Sequence, residues 1–305
     1  MQQFFYKSAT GLCDIAAYKW LPEGKPAAVI QIVHGMAEHA QRYDDIARYF
    51  NSLGYAVYAE DHPGHGASIN GSGKKGWFAP ENGWSLVIED IMALHKKVKE
   101  AHPGVPMVLY GHSMGSFLAR TVASRYPGEF CAFIFSGTAG KNPVLAIAKA
   151  IANSHIKKNG GAVPDDQLNG LAFGSYLKKI KDARTPVDWL SRDTQVVDKY
   201  MEDDLCGFTF TSAAFRDLFD GLGEIAGKKW AEKVENVPIL LVAGKEDPVG
   251  SYGKGVVEVC EDLRKTGHTR VVLTLYEGGR HEMHNETNKA EVYRGIAAFL
   301  SSAVK

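Results

Sequence analysis

The chain has 305 residues, 45% of them apolar, with 35 basic and 35 acidic side chains and a formal net charge of +0. That length can bury a substantial core, and balanced charge without a basic stripe excludes the electrostatic footprint of a nucleic-acid binder. The 4 cysteines (Cys13, Cys131, Cys206, Cys260) show neither CxxC spacing nor a disulfide framework. No run approaches the ~18 apolar residues of a spanning helix, and the first residues lack a signal-peptide pattern, so a soluble cytoplasmic protein is expected.

In chain order, residues 4 to 7 and 13 to 20 read as an antiparallel strand pair around the Thr10-Gly11 turn, at one edge of a sheet. The strand AVIQIVH (28 to 34) leads into His34-Gly35-Met36-Ala37-Glu38-His39, and an amphipathic helix follows from Tyr43 to Leu53, stopped by Gly54. A buried strand at 55 to 61 runs into His62-Pro63-Gly64-His65-Gly66, and a helix spans 82 to 102. The apolar run Met107 to Tyr110 is a buried strand that stops at Gly111, and Phe117, Leu118, Thr121 and Val122 recur at helical spacing directly after it. Alternating strands and helices predict an α/β fold, a mostly parallel sheet covered on both faces.

Residues 131 to 137 form another core strand, yet the next one, PILLVAG, begins only at Pro238. Roughly a hundred residues intervene, far more than a βα connection uses, so an insertion is placed at 140 to 230 between the two parts of one domain, 1–139 and 231–305. It contains an amphipathic stretch (Leu145, Ile147, Ala148, Ile151, Ile156) and apolar residues including Phe173, Tyr176, Leu177, Trp189, Leu190, Phe208, Phe210, Phe215 and Leu218. Such a segment suits a helical lid. Most of these residues are expected to form a small core of its own, with a minority lining a pocket. The basic helix end His155-Ile156-Lys157-Lys158 reads either as a solvated terminus or as a contact with a lipid surface. A helix at 255 to 266, a strand at 270 to 276 and a helix at 288 to 303 complete the chain.

The chemistry centres on Gly111-His112-Ser113-Met114-Gly115. Two glycines at a strand-to-helix turn let backbone pass close on both sides of a strained serine, whose hydroxyl is lifted clear of the sheet. Serine needs a base, and the base an orienting acid. Functional loops of such sheets sit at the carboxyl ends of strands, where Asp247 and His281 follow the last two strands in the order Ser, Asp, His. Singly, Asp247-Pro248 would be an ordinary turn and any one of 11 histidines unremarkable; jointly they make a catalytic triad. The backbone N–H of Met114, beside the nucleophile at a helix start, and that of Met36, after His34-Gly35, are placed as oxyanion donors. His112 leaves the turn on a different bearing from a base, which suits a supporting or glycerol-contacting role. No metal is expected: His281-Glu282-Met283-His284 lacks the i, i+4 spacing of HExxH, and the His62 to Gly66 turn lacks a complete ligand set. No cofactor is implied either.

Five blocks, HGMAEHAQRY (34 to 43), DHPGHGAS (61 to 68), GHSMGS (111 to 116), KEDPVG (245 to 250) and YEGGRHEMHNE (276 to 286), together resemble the monoacylglycerol lipase and lysophospholipase group of α/β-hydrolases. Residues 189 to 211 also resemble the exit segment of the lid in bacterial members. The resemblance implies the α/β-hydrolase fold, Ser113 as nucleophile, Asp247 as acid, His281 as base and Met36 and Met114 as oxyanion donors. It also implies that Glu38, Arg42 and His112 lie near the alcohol half of a glycerol ester. Ser116 stands where members usually have a second glycine. The expected activity is serine carboxylester hydrolysis of monoacylglycerols or lysophospholipids, with lipid or acyl ester as the small-molecule partner and a transient membrane or micelle contact through the lid. A broad-range esterase, an acyltransferase and a non-catalytic ligand receptor are the alternatives; Ser113 argues against dehalogenases and epoxide hydrolases, which need a carboxylate there.

Overall fold

The structure is a computed structural model that describes residues 1–181 and 183–304. Its strands are β1 (Gln2–Lys7), β2 (Asp14–Trp20), β3 (Val29–Val33), β4 (Ala56–Glu60), β5 (Met107–His112), β6 (Ala132–Ser136), β7 (Ile239–Gly244) and β8 (Val271–Tyr276). They form one 8-stranded sheet in the order β1-β2-β4-β3-β5-β6-β7-β8. The β1–β2 and β2–β4 pairs are antiparallel and every later pair is parallel. Hence β3, β5, β6, β7 and β8 all deliver their carboxyl ends to one rim.

Side-chain alternation along the strands divides the interior into two layers. In β5, Met107 and Leu109 face one side while Val108 and Tyr110 face the other. The first side is covered by α2 (Gly83–Ala101), α3 (Met114–Arg125) and α8 (Lys254–Lys265), through residues such as Ile91, Leu118 and Leu263. The second is covered by α1 (Asp44–Ser52) and α9 (Lys289–Ala303), through Ile46, Phe50 and Ile296. Strands buried on both faces explain why their sequences read as continuous apolar runs.

Between β6 and β7 the chain forms α4 (Leu145–Asn159), α5 (Asp166–Phe173), α6 (Thr194–Glu202) and α7 (Ser212–Glu224). Asp165, Asp193 and Thr211 cap α5, α6 and α7 by accepting from backbone N–H groups. Phe210, Phe215 and Leu218 join the core of the sheet, whereas Leu190, Tyr200 and Cys206 make a small cluster apart. The expected apolar face of α4 is only partly realised: Ala152 alone is fully buried, and Ile147 is 66% exposed. Ile147 lies five residues, about 140°, round the helix from the buried Ala152, which turns it toward solvent.

Arg120 of α3 ties the two ends of this insertion together. Its Nη1 donates to the carbonyl of Ala139 at 2.8 Å and its Nη2 to that of Ile225 at 2.8 Å. The guanidinium lies 4.3 Å from the ring centroid of Trp230, a cation–π contact. Burial lowers its pKa to about 9.

Candidate active site

Ser113 sits between β5 and α3 at φ 54 and ψ −122, a conformation costing about 1–3 kcal/mol that persists only where the surroundings enforce it. They do so by close approach. A Cβ on Gly115 would lie 2.0 Å from the Val33 carbonyl oxygen, and one on Gly111 would lie 2.2 Å from that of Gly115. The Ser113 N–H donates to Ser136 at 2.9 Å, extending the β5–β6 ladder, and the hydroxyl of Ser116 donates to the Ser113 carbonyl at 2.6 Å. Ser116 thus fastens the turn from below, which a second glycine could not do.

Asp247 follows β7 and is fully buried; its Oδ2 accepts from His281 Nδ1 at 2.9 Å, and its Oδ1 from the Val249 N–H at 2.9 Å. The first bond fixes the ring of His281, which follows β8, and leaves Nε2 as its free nitrogen. Burial by itself would lower the His281 pKa; the Asp247 carboxylate overrides it, and the net shift is upward. Room for the ring comes from Gly137 (φ +61) after β6, where a Cβ would sit 2.9 Å from His281 Cε1. Ser113 makes no hydrogen bond to His281 among the described residues. Such bonds are often long in the absence of substrate and tighten in the reacting complex.

Opposite Ser113 passes the loop after β3. A Cβ on Gly35 would stand 3.1 Å from Ser113 Cβ, so the residue before Met36 passes directly against the serine. The N–H groups of Met36 and Met114 have no protein acceptor among the described residues. An oxyanion hole needs two such unengaged N–H donors near the nucleophile.

Glu38 and Arg42 lie behind this loop, and both are bound within the protein. Glu38, 3% exposed, accepts at Oε1 from the Gly35 N–H (2.6 Å) and the Tyr43 hydroxyl (2.9 Å), and at Oε2 from Arg42 (2.6 Å). Arg42 also makes a two-pronged bond to Glu282, 2.7 Å at each oxygen. Two buried carboxylates therefore share one guanidinium. Burial opposes ionisation of Glu282, but Arg42 holds it down at about 2; Glu38, with a single bond to the same cation, is pushed up by burial. The network joins the Met36 loop to the residue after His281. Glu282 was invisible to sequence spacing as a partner of Arg42.

His112 is also buried, its ring 4.7 Å from those of His281 and His284. Burial, then the neighbouring histidines, holds its pKa well below the ordinary value; its ring packs on His281 and His284, and its Nδ1 lies 3.4 Å from the Ser136 hydroxyl. His284 stacks on Tyr43 at 4.6 Å, with both ring nitrogens without a hydrogen-bond partner among the described residues.

The insertion reaches the site through residues 187 to 192. The N–H groups of His281 and Glu282 donate to the carbonyls of Trp189 (3.3 Å) and Leu190 (2.7 Å), and Arg280 donates to those of Asp188 and Ser191. The Trp189 ring lies 5.1 Å from His281 and packs on Tyr176 and Phe173, giving the catalytic rim an aromatic wall. Surface hollows of about 280 and 470 Å³ border α2, and neither is lined by any residue of this constellation.

A family model described as serine aminopeptidase, S33 (Hydrolase_4) matches residues 24–288. The monoacylglycerol lipase of Mycolicibacterium smegmatis is 30% identical over 292 residues, covering 93% of this chain and 91% of that protein. The human monoglyceride lipase is 28% identical over 267 residues, covering 88% and 79%. Among solved structures, a thermostable carboxyl esterase from Bacillus coagulans in complex with glycerol matches with a TM-score of 0.91 and 32% identity, over 100% of this chain and 99% of that one.

Proposed function

We propose that this chain, which belongs to the serine aminopeptidase S33 (Hydrolase_4) family of α/β-hydrolases, cleaves monoacylglycerols through an acyl-enzyme on Ser113. It is a serine hydrolase, and its lipase relatives support the substrate class. Ser113 Oγ attacks the ester carbonyl while His281 Nε2 takes its proton, and Asp247 stabilises the imidazolium. The Met36 and Met114 N–H groups hold the tetrahedral oxyanion. On collapse, His281 returns the proton to the departing glycerol oxygen. Water then attacks the acyl-enzyme, with His281 as base, and the fatty acid leaves.

The observation that carries this reading is the buried Asp247–His281 bond of 2.9 Å, which orients a base at the same rim as the strained Ser113. Glu38 and Arg42 act in it as the support of the oxyanion loop. Residues 140 to 230 act as the lid, with the Trp189, Tyr176 and Phe173 wall toward the acyl chain. The test is hydrolysis of glycerol monoesters of increasing acyl length beside a lysophospholipid. An optimum at medium or long chains supports the reading, and its absence in favour of short esters supports a broad carboxylesterase, which the likeness to the Bacillus coagulans esterase favours as second choice. No turnover of any ester overturns both.

A further inference from the structure

A second group of reactive side chains lies where the insertion meets the oxyanion loop. His39 follows that loop, while Asp203 and Cys206 leave α6; the three donor atoms lie within 4.8 Å of one another. His39 Nε2 and Asp203 Oδ2 are 2.8 Å apart, and His39 and Cys206 are buried at 8% and 9% exposure while Asp203 is half-buried. Backbone bonds set this geometry. Cys206 and Leu205 donate to Asp203, and the Gly207 N–H and Tyr200 hydroxyl both donate to the Ala37 carbonyl, at 2.9 and 3.0 Å.

We propose that His39, Asp203 and Cys206 form a binding site for one thiophilic divalent cation, of which Zn²⁺ is the natural example. Imidazole, carboxylate and thiolate are three ligands of a tetrahedral ion, and the partly exposed edge at Asp203 leaves a fourth position to water. Bonds of about 2.0–2.3 Å put such ligand atoms roughly 3.3–3.7 Å apart, so the imidazole and carboxylate, now 2.8 Å apart, must part slightly, and the sulfur, within 4.8 Å of both, is already in reach. Thiolate and imidazole select Zn²⁺ or Cd²⁺ over Mg²⁺ and Ca²⁺. Charge is balanced once the ion displaces the Cys206 proton, which burial otherwise holds on the sulfur, into solvent: a carboxylate and a thiolate then match the ion, and the nearby Arg42 is already engaged by Glu38 and Glu282. The bound ion joins residues 203–206 to the loop that carries Met36, adding a strong link beside the hydrogen bonds to Ala37 and the Arg42–Tyr200 cation–π contact.

Chelator-treated protein titrated with Zn²⁺ by calorimetry, and with Cd²⁺ while following the ultraviolet thiolate charge-transfer band, tests the site without reference to ester hydrolysis. The expected result is one ion per chain, a band absent from Cys206→Ser, and affinity at least tenfold weaker in that variant and in His39→Gln. The remaining cysteines, Cys13, Cys131 and Cys260, are the internal control, being unchanged in both variants. Absence of stoichiometric binding, or a band and affinity unaltered by Cys206→Ser and by His39→Gln, overturns the proposal.

Discussion

The carboxyl rim of the sheet and the insertion above it are built on different principles. At the rim, each residue of the constellation is fixed by strand ends, by glycines that admit no Cβ, and by buried charges that bond one another. In the insertion, helices are held by caps and by one packed face, and Ile147, Leu171 and Val144 remain exposed. The difference is one of tolerance. Close backbone approach fixes geometry at the sheet to a fraction of an ångström, whereas the insertion helices leave part of their apolar surface uncovered.

Mutations can break this contrast, and the largest effect belongs to the rim. Ser113→Ala is expected to lower turnover on the order of 10⁶-fold with unfolding stability nearly unchanged, as read from steady-state rates beside a urea melt. Asp247→Asn should cost about 10⁴-fold and move the pH profile. In the parent, the rate should rise with pH through an ionisation above histidine's ordinary ~6.5, because Asp247 raises the His281 pKa against burial; without that charge, burial remains and the limb should shift to lower pH. The same upward shift makes the pair's contribution to stability full below the ordinary imidazole value and lost as pH rises through the raised one. Profiles that coincide for the two proteins would refute this role.

Arg42→Met comes next. It strands two buried carboxylates and should cost about 3–5 kcal/mol of stability, measured by urea denaturation. A raised KM at unaltered stability would instead make Arg42 a substrate contact, as the family resemblance implied. The smallest effect is expected in the insertion, where Ile147→Ser should change stability by no more than ~0.5 kcal/mol; a large loss there would show that α4 is as tightly specified as the rim.

What was legible in the sequence follows the same division. Buried strands announce themselves as apolar runs, and Gly111, Gly115 and Gly278 punctuate their ends, so Ser113, Asp247 and His281 could be placed in order at one edge. The Glu38–Arg42–Glu282 network could not be read, because Arg42 and Glu282 are 240 residues apart and only the closing of the sheet unites them. The same holds for His39 and Asp203, 164 residues apart, which no spacing motif for metal ligands would pair. In α4, apolar composition suggested a buried stripe, but helical phase puts Ile147 outside it.

Arg120 has a consequence for how such a chain can diversify. Because one guanidinium spans the carbonyls of Ala139 and Ile225, the two ends of the inserted chain lie side by side on the sheet. A loop whose ends are already together perturbs its host little, whatever its length, since closure entropy grows only slowly with the residues enclosed. The stretch between those carbonyls is thus free to vary in length at little closure cost, provided that any replacement still offers His281 and Glu282 the acceptors that the Trp189 and Leu190 carbonyls supply.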